Sequence, residues 1–256
     1  MSFNKHISVK QEEFVAKITL SKPPLNVLDT EDLIHLQETL KDLNKQENLK
    51  LIVIDSNQKV FSAGVNVSDH SKNKILGMLG AFHEVFYLML DLNVPIMSLV
   101  KSDSFGGGSE LALFCDLVVA SEKASFSHPE IKLGCYPPVS LVNLPNLIGD
   151  KKALEIILTG NKLSAKEALD LNLINYVFKE EEFDQKSQEL INSIISNSAS
   201  VIKTTLKAFK KVNYSEIKEK LSISEKIYIE ELMNLEDAEE GIKSFLEKRS
   251  PVWKNR

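Results

Sequence analysis

The chain has 256 residues, 43% of them hydrophobic and 26% charged, which fits a globular protein able to bury one large core. A net charge of −5 provides no attractive field for nucleic acid, and no apolar run reaches the length of a membrane span. The N-terminus lacks the apolar core of a signal peptide. The two cysteines and five histidines have neither disulfide nor metal-ligand spacing, so Cys115 and Cys135 read as buried thiols in a reducing, cytoplasmic compartment.

In chain order, Phe14 to Leu20 reads as a strand with Ala16, Ile18 and Leu20 on one side, stopped by Pro23-Pro24. Asp29 or Thr30 can cap a helix that places Leu33, Leu36, Leu40 and Leu43 on one face. Leu49 to Ile54 is continuously apolar, the mark of a strand buried on both sides. A helix follows over residues 75–92, predicted to turn Leu76, Leu79, Phe82 and Phe86 inward. Ile96 to Val100 and Leu117 to Ala120 are further short buried strands. This alternation predicts an α/β architecture with an inner sheet and an outer helical layer.

Beyond residue 150 the pattern turns helical. Asp150 precedes a helix with Ala153, Leu154, Ile157 and Leu158 on its apolar side. Ser164 and Glu167 have the form of a capping box. Leu173 to Phe178 is strand-like, and helices are predicted over 183–196, 200–212, 215–234 and 237–248. The apolar stripes of the last three exceed what they can bury against one another. They predict a helical appendage, 197–256, that packs on another subunit, beside a core at 1–196.

Three loops concentrate the chemistry. Ala63-Gly64-Val65 follows a core strand. Gly106-Gly107-Gly108 opens a helix whose first turn carries Glu110. Ser127-His128-Pro129-Glu130 leads into Leu133-Gly134. Glycines at a helix start leave N–H groups unpaired, and such groups suit an oxygen that develops negative charge. Taken alone, the glycine run is equally a turn before a helix, and Glu130 a surface carboxylate. Together, two close-approach backbones and two carboxylates suit a carbonyl polarised by N–H groups while protons move at the adjacent carbons.

These pieces, in this order and spacing, resemble the crotonase, or enoyl-CoA hydratase/isomerase, superfamily. The resemblance runs from about Val15 to the C-terminus and includes Phe61 to Val65, Gly106 to Ala112, Cys115-Asp116, Phe126 to Gly134 and Phe245 to Pro251. It implies a spiral of ββα units followed by a helical region that builds trimers, often paired into hexamers. It implies an oxyanion hole from the Val65 and Gly107 N–H groups, and substrate contacts at Ala63, Gly64 and Gly106. Glu110 would act as base toward a water and Glu130 would deliver a proton to Cα of an α,β-unsaturated thioester. No cofactor is implied beyond the CoA of the substrate itself.

The sequence also departs from the common hydratases. Ser68 stands where a lysine would lie near the CoA adenine, Ser102 and Asp103 are unusual before the glycine run, and Tyr136-Pro137-Pro138 replaces a glycine-rich turn. Val65 to His70 with the double proline most resembles the branch of cyclohexa-1,5-diene-1-carbonyl-CoA hydratases, which implies a ring-shaped dienoyl-CoA. By resemblance Lys254 lies near the CoA 3′-phosphate and Trp253 near the adenine; both also read as an ordinary basic tail. The alternatives are a crotonase-fold isomerase or ring-opening hydrolase, and, from another class, a non-catalytic acyl-CoA- or RNA-binding oligomer. The absence of a basic, aromatic-interleaved patch speaks against RNA.

Overall fold

A computed structural model describes residues 6–256. The first half runs β1 (Ile7–Glu12), β2 (Val15–Leu20), α1 (Thr30–Asn44), β3 (Leu51–Ser56), α2 (Ile75–Asp91), β4 (Ile96–Val100), β5 (Ser104–Phe105), α3 (Gly107–Leu113), β6 (Leu117–Ser121) and β7 (Ser125–Ser127). The second runs α4 (Pro138–Ile148), α5 (Asp150–Thr159), β8 (Lys162–Ser164), α6 (Ala165–Asp170), β9 (Tyr176–Phe178), α7 (Phe183–Ile195), α8 (Ala199–Asn213), α9 (Ile217–Glu230) and α10 (Glu236–Leu246).

The strands form two sheets. The larger has the order β1-β2-β3-β4-β6-β9 and is parallel except for the β1–β2 hairpin. The smaller, β5-β7-β8, is made of two- and three-residue strands. Two successive units thus place a long strand in one sheet and a short one in the other, β4 with β5 and β6 with β7. The glycine run and the Glu130 turn begin where β5 and β7 end.

β3 is apolar from Leu51 to Ile54 because both of its faces are covered there. Ile52 and Ile54 join the main core with α1 and α2, while Leu51 and Val53 meet Met97, Leu99, Val119 and the buried Phe183 and Ile191 of α7. Asp29 caps α1 as expected: its carboxylate accepts the Asp32 N–H, and the Asp32 carboxylate accepts the Asp29 N–H. Ser164 and Glu167 form the same reciprocal box at α6.

Four readings need correction. β1 carried no strand signal because only Ile7 of its six residues is buried. α2 turns Ile75, Met78, Leu79, Phe82 and Phe86 inward, and Leu76 is 64% exposed. α5 buries Ala153, Ile156 and Ile157 and leaves Leu154 and Leu158 facing outward. The run at 173–178 is extended only over β9, since Leu173 still closes the turn after α6 through its N–H to Ala168 O at 2.8 Å.

The C-terminal helices lie against the site-bearing loops. α9 packs on α4 and α2. α10 meets the 3-10 turn Pro129–Leu133 so closely that a Cβ on Gly241 would sit 2.2 Å from Leu133 O. A Cβ on Gly134 would lie 2.6 Å from Asp237 O.

Candidate active site

The Gly64 loop and the glycine run meet backbone to backbone. Leu28 N–H donates to Gly64 O at 2.8 Å, and Phe105 N–H to Ser62 O at 2.9 Å. At φ +82°, Gly64 has no room for a side chain: its Cβ would stand 2.8 Å from Gly107 N. Most N–H groups here are spent inside the chain. Ala63 donates to Leu25 O, Gly64 to Ser62 Oγ, Asn66 to Leu28 O and Gly106 to Ser127 O. Among the described residues, the N–H groups of Val65 and Gly107 meet no acceptor. Gly107 is the first residue of α3, where a helix has no internal acceptor to offer. Both residues line one small cavity.

That cavity is about 30 Å³ and also holds Glu110 and Glu130. This is room for a water or two. Glu110 is buried, and its Oε1 accepts the Ser140 N–H at 2.8 Å. The donor exists because Pro138 opens α4, a position where its missing N–H costs nothing, and leaves the next first-turn N–H groups free. Burial pushes the Glu110 carboxyl up to about 7, against the lowering effect of the Ser140 and Val139 N–H groups.

Glu130 enters from the opposite side on the turn after β7. A Cβ on Gly106 would lie 2.8 Å from its Oε1, and Gly106 has φ +52°. Its Oε2 is buried and accepts nothing among the described residues. Burial raises this carboxyl well above the ordinary range, and the charge of Glu110 raises it further. Two such carboxyls do not ionise together cheaply, so the pair holds one proton over a wide pH range.

The structure therefore brings together Val65, Gly107, Glu110 and Glu130. Ala63, Gly64 and Gly106 stand beside them as framework. Lys254 does not line this cavity; its ammonium pairs with Glu236 at 2.9 Å, and its N–H binds Asp237, so the tail folds on the start of α10.

Several site residues escaped the sequence reading. Ser140 acts through its backbone, so its side chain gave no signal; the useful mark was the proline opening an apolar run. Tyr228 lines the cavity from α9, packed edge to face at a ring-centroid distance of 5.0 Å on Tyr136, which the sequence marks as a departure from a glycine-rich turn. His128 is buried with Ser140 Oγ 3.3 Å from its Nδ1. Burial lowers its imidazole to about 4, so it stays neutral.

Known proteins share this arrangement of chain. The family described as enoyl-CoA hydratase/isomerase matches residues 10–256. A cyclohexa-1,5-dienecarbonyl-CoA hydratase of Thauera aromatica is 30% identical, covering 97% of this chain and 96% of its own. A probable enoyl-CoA hydratase of Bacillus subtilis strain 168 is 31% identical, covering 97% and 98%. The crystal structure of an enoyl-CoA hydratase from Mycobacterium avium subsp. paratuberculosis K-10 superposes with a TM-score of 0.88 at 23% identity, over 98% of this chain and 99% of that one, which establishes the crotonase spiral as the fold. With the family profile spanning nearly the whole chain, this protein belongs to the enoyl-CoA hydratase/isomerase family.

Proposed function

We propose that the protein adds water reversibly across the α,β double bond of an enoyl-CoA thioester. One observation carries this reading: two buried carboxyls, one held by Ser140 N–H and one with an unclaimed oxygen, share a water-sized cavity beneath two unspent N–H groups. The thioester oxygen accepts from Val65 and Gly107 N–H. A water held between the carboxyls gives a proton to Glu110 as its oxygen bonds to Cβ. The π electrons move onto the thioester oxygen, forming an enolate that the two N–H groups stabilise. Glu130, still protonated, then delivers its proton to Cα, and the carbonyl re-forms. The carboxyl with the higher proton affinity is thus the acid and its partner the base.

No cofactor enters this reading; CoA arrives with the substrate. The name of the Thauera relative and the double proline at 137–138 favour a ring-shaped dienoyl group over a straight chain. The outward apolar residues Leu154 and Leu158 on α5, and Val201, Phe209 and Val212 on α8, favour assembly with further copies as a trimer or paired trimers, residues 197–256 supplying contacts to the core at 1–196. Lys254 would then reach CoA within such an assembly. No helix of the described residues is long and apolar enough to cross a membrane, and a cytoplasmic location fits the free cysteines.

The test is product mass. Incubation with crotonyl-CoA and with cyclohexa-1,5-diene-1-carbonyl-CoA is expected to add one water to an intact thioester. Free CoA without hydrated thioester would identify a thioester hydrolase, and an isomeric product of unchanged mass an isomerase; either outcome removes the hydratase reading.

A further inference from the structure

Four buried side-chain polar atoms lack a partner among the described residues: His70 Nδ1, His83 Nε2, Glu130 Oε2 and Ser187 Oγ. Two of the four belong to residues that line the glutamate cavity. Glu130 Oε2 has a use in the chemistry above. His70 does not, and a buried nitrogen left unpaired is unfavourable unless something binds it.

The place of His70 tells what that could be. It ends the short 3-10 turn Val67–His70 that follows the Val65 loop. Its ring lines the glutamate cavity on one side and a second cavity of about 480 Å³ on the other. This second cavity lies between that turn and α10. Its floor is apolar, with Met233, Ile242 and Leu246, and its rim carries Lys72 and Lys243 beside Glu239 and Glu247. The 30 Å³ beside the glutamates takes a water but no acyl group. An acyl group bonded to the reacting carbons must extend past one of the walls, and the wall at His70 is the one with space behind it.

The remaining cavity wall offers nothing else for a polar substituent. Met78, Leu79, Phe82 and Pro138 are apolar. The Tyr136 hydroxyl donates to Ser224 O at 2.8 Å and is spent. The Tyr228 hydroxyl is engaged with Cys135. Burial lowers the His70 imidazole, against weak hydrogen-bonding contacts with the carbonyls of Asn66 and Val67 that leave Nδ1 without a well-formed partner, so the ring is neutral at pH 7 and carries one donor and one acceptor.

We propose that His70 is a specificity-determining residue that hydrogen-bonds a hydroxyl or oxo oxygen on the acyl part of the substrate beyond Cβ, so that the site favours oxygen-bearing enoyl-CoA thioesters over pure hydrocarbon ones. This rests on the hydratase reading for the placement of the acyl group. A site built to pair a substrate oxygen discriminates strongly against the analogue that lacks it, because the site's own polar atom is then left bare.

Binding of unreactive, saturated thioesters separates this inference from turnover. Hexanoyl-CoA is compared with its 4-, 5- and 6-hydroxy derivatives by calorimetry, on the wild type and on His70→Leu and His70→Gln. At least one hydroxy derivative is expected to bind the wild type tenfold or more tighter than hexanoyl-CoA, a difference of about 1.4 kcal/mol. His70→Leu is expected to erase that ratio and His70→Gln to restore part of it. Thermal melting checks that both variants fold, and the Gln variant alone still decides the matter if Leu does not. A ratio near one in the wild type, or one that survives in both variants, overturns the assignment. Loss of hydration with the binding ratio intact would instead count against the hydratase reading alone.

Discussion

The main-chain N–H of Ser140 donates to Glu110 Oε1 at 2.8 Å, while Glu130, across the same cavity, keeps an oxygen that no group among the described residues claims. The two carboxyls are therefore unequal before any substrate arrives. One is fixed by a helix start. The other is free to hold and release a proton toward a ligand.

Replacing either carboxyl by its amide keeps shape and removes the proton chemistry. Glu110→Gln and Glu130→Gln are each expected to lower hydration turnover by about a hundred- to ten-thousandfold. Acyl-CoA binding should change by only a few-fold, because the N–H groups of Val65 and Gly107 remain. Turnover of crotonyl-CoA and of the cyclic dienoyl-CoA, with calorimetric binding of a saturated acyl-CoA, checks both halves.

The pH dependence follows from the same pair. Glu110 titrates near 7 and Glu130 higher. The ratio kcat/KM should rise as the pair loses its first proton near pH 7, and fall as the second leaves at higher pH. Stability runs the other way. Both folded carboxyls sit above the ordinary 4.5, so the native state binds more protons than the unfolded chain. The stabilisation is complete below about pH 4.5 and is lost as pH rises through 7 and beyond. Urea titrations at pH 5, 7 and 9 should show this decline in the wild type and a flatter profile in Glu130→Gln.

Gly106→Ala probes the contact that seats Glu130. The new Cβ would collide with Oε1 at 2.8 Å on a backbone at φ +52°. With ψ −129° this is a conformation only glycine takes readily, and the expected cost is about 1–3 kcal/mol of stability from the backbone alone. Turnover should fall far more than stability, since the acid is pushed from the cavity. A melting curve and a rate measured on the same preparation separate the two effects.

Asp116 and Lys210 form a buried pair away from the cavity. Asp116 Oδ2 accepts the Ile96 N–H at 2.8 Å, and Lys210 lies 3.6 Å from Oδ1 while donating to Met89 O and Leu92 O behind α2. Burial raises the Asp116 carboxyl and lowers the Lys210 ammonium, so each depends on the other. Lys210→Ala is expected to cost about 3–5 kcal/mol. Adding Asp116→Asn should recover part of this, because the stranded charge is gone while an oxygen remains for Ile96. Chemical denaturation of the two single variants and the double variant measures the coupling.

The sequence was most informative where one residue type has one use. Leu49 to Ile54 could only be a strand covered on both sides, and β3 is that strand. Asp29 and Ser164 announced helix starts because a short oxygen before an apolar run has few other roles. It was least informative where position depends on distant partners. Leu76, Leu154 and Leu158 look like core in a periodic pattern, yet face outward. Periodicity locates a stripe and does not say whether the same chain covers it. The site divides likewise. Gly106, Gly107 and Glu110 stood out by type and spacing, whereas Glu130, a surface carboxylate when taken alone, stood out only beside the other loops and through the family resemblance. The Ser140 N–H and the cavity-facing Tyr228 could not, since one is main chain and the other is 118 positions from Glu110 and reaches it only through the packing of α9.

The backbone-to-backbone seat of Gly241 on Leu133 and of Gly134 on Asp237 makes the last helix a buttress for the turn that carries Glu130, the proposed proton donor. Glu130 is only three positions from Leu133, and the tail anchors that helix in turn through the Lys254 and Asn255 N–H groups on Asp237. A disturbance at the far end of the polypeptide has a direct mechanical route to the reacting centre. The closing segment is thus part of what holds the Glu130 turn in place.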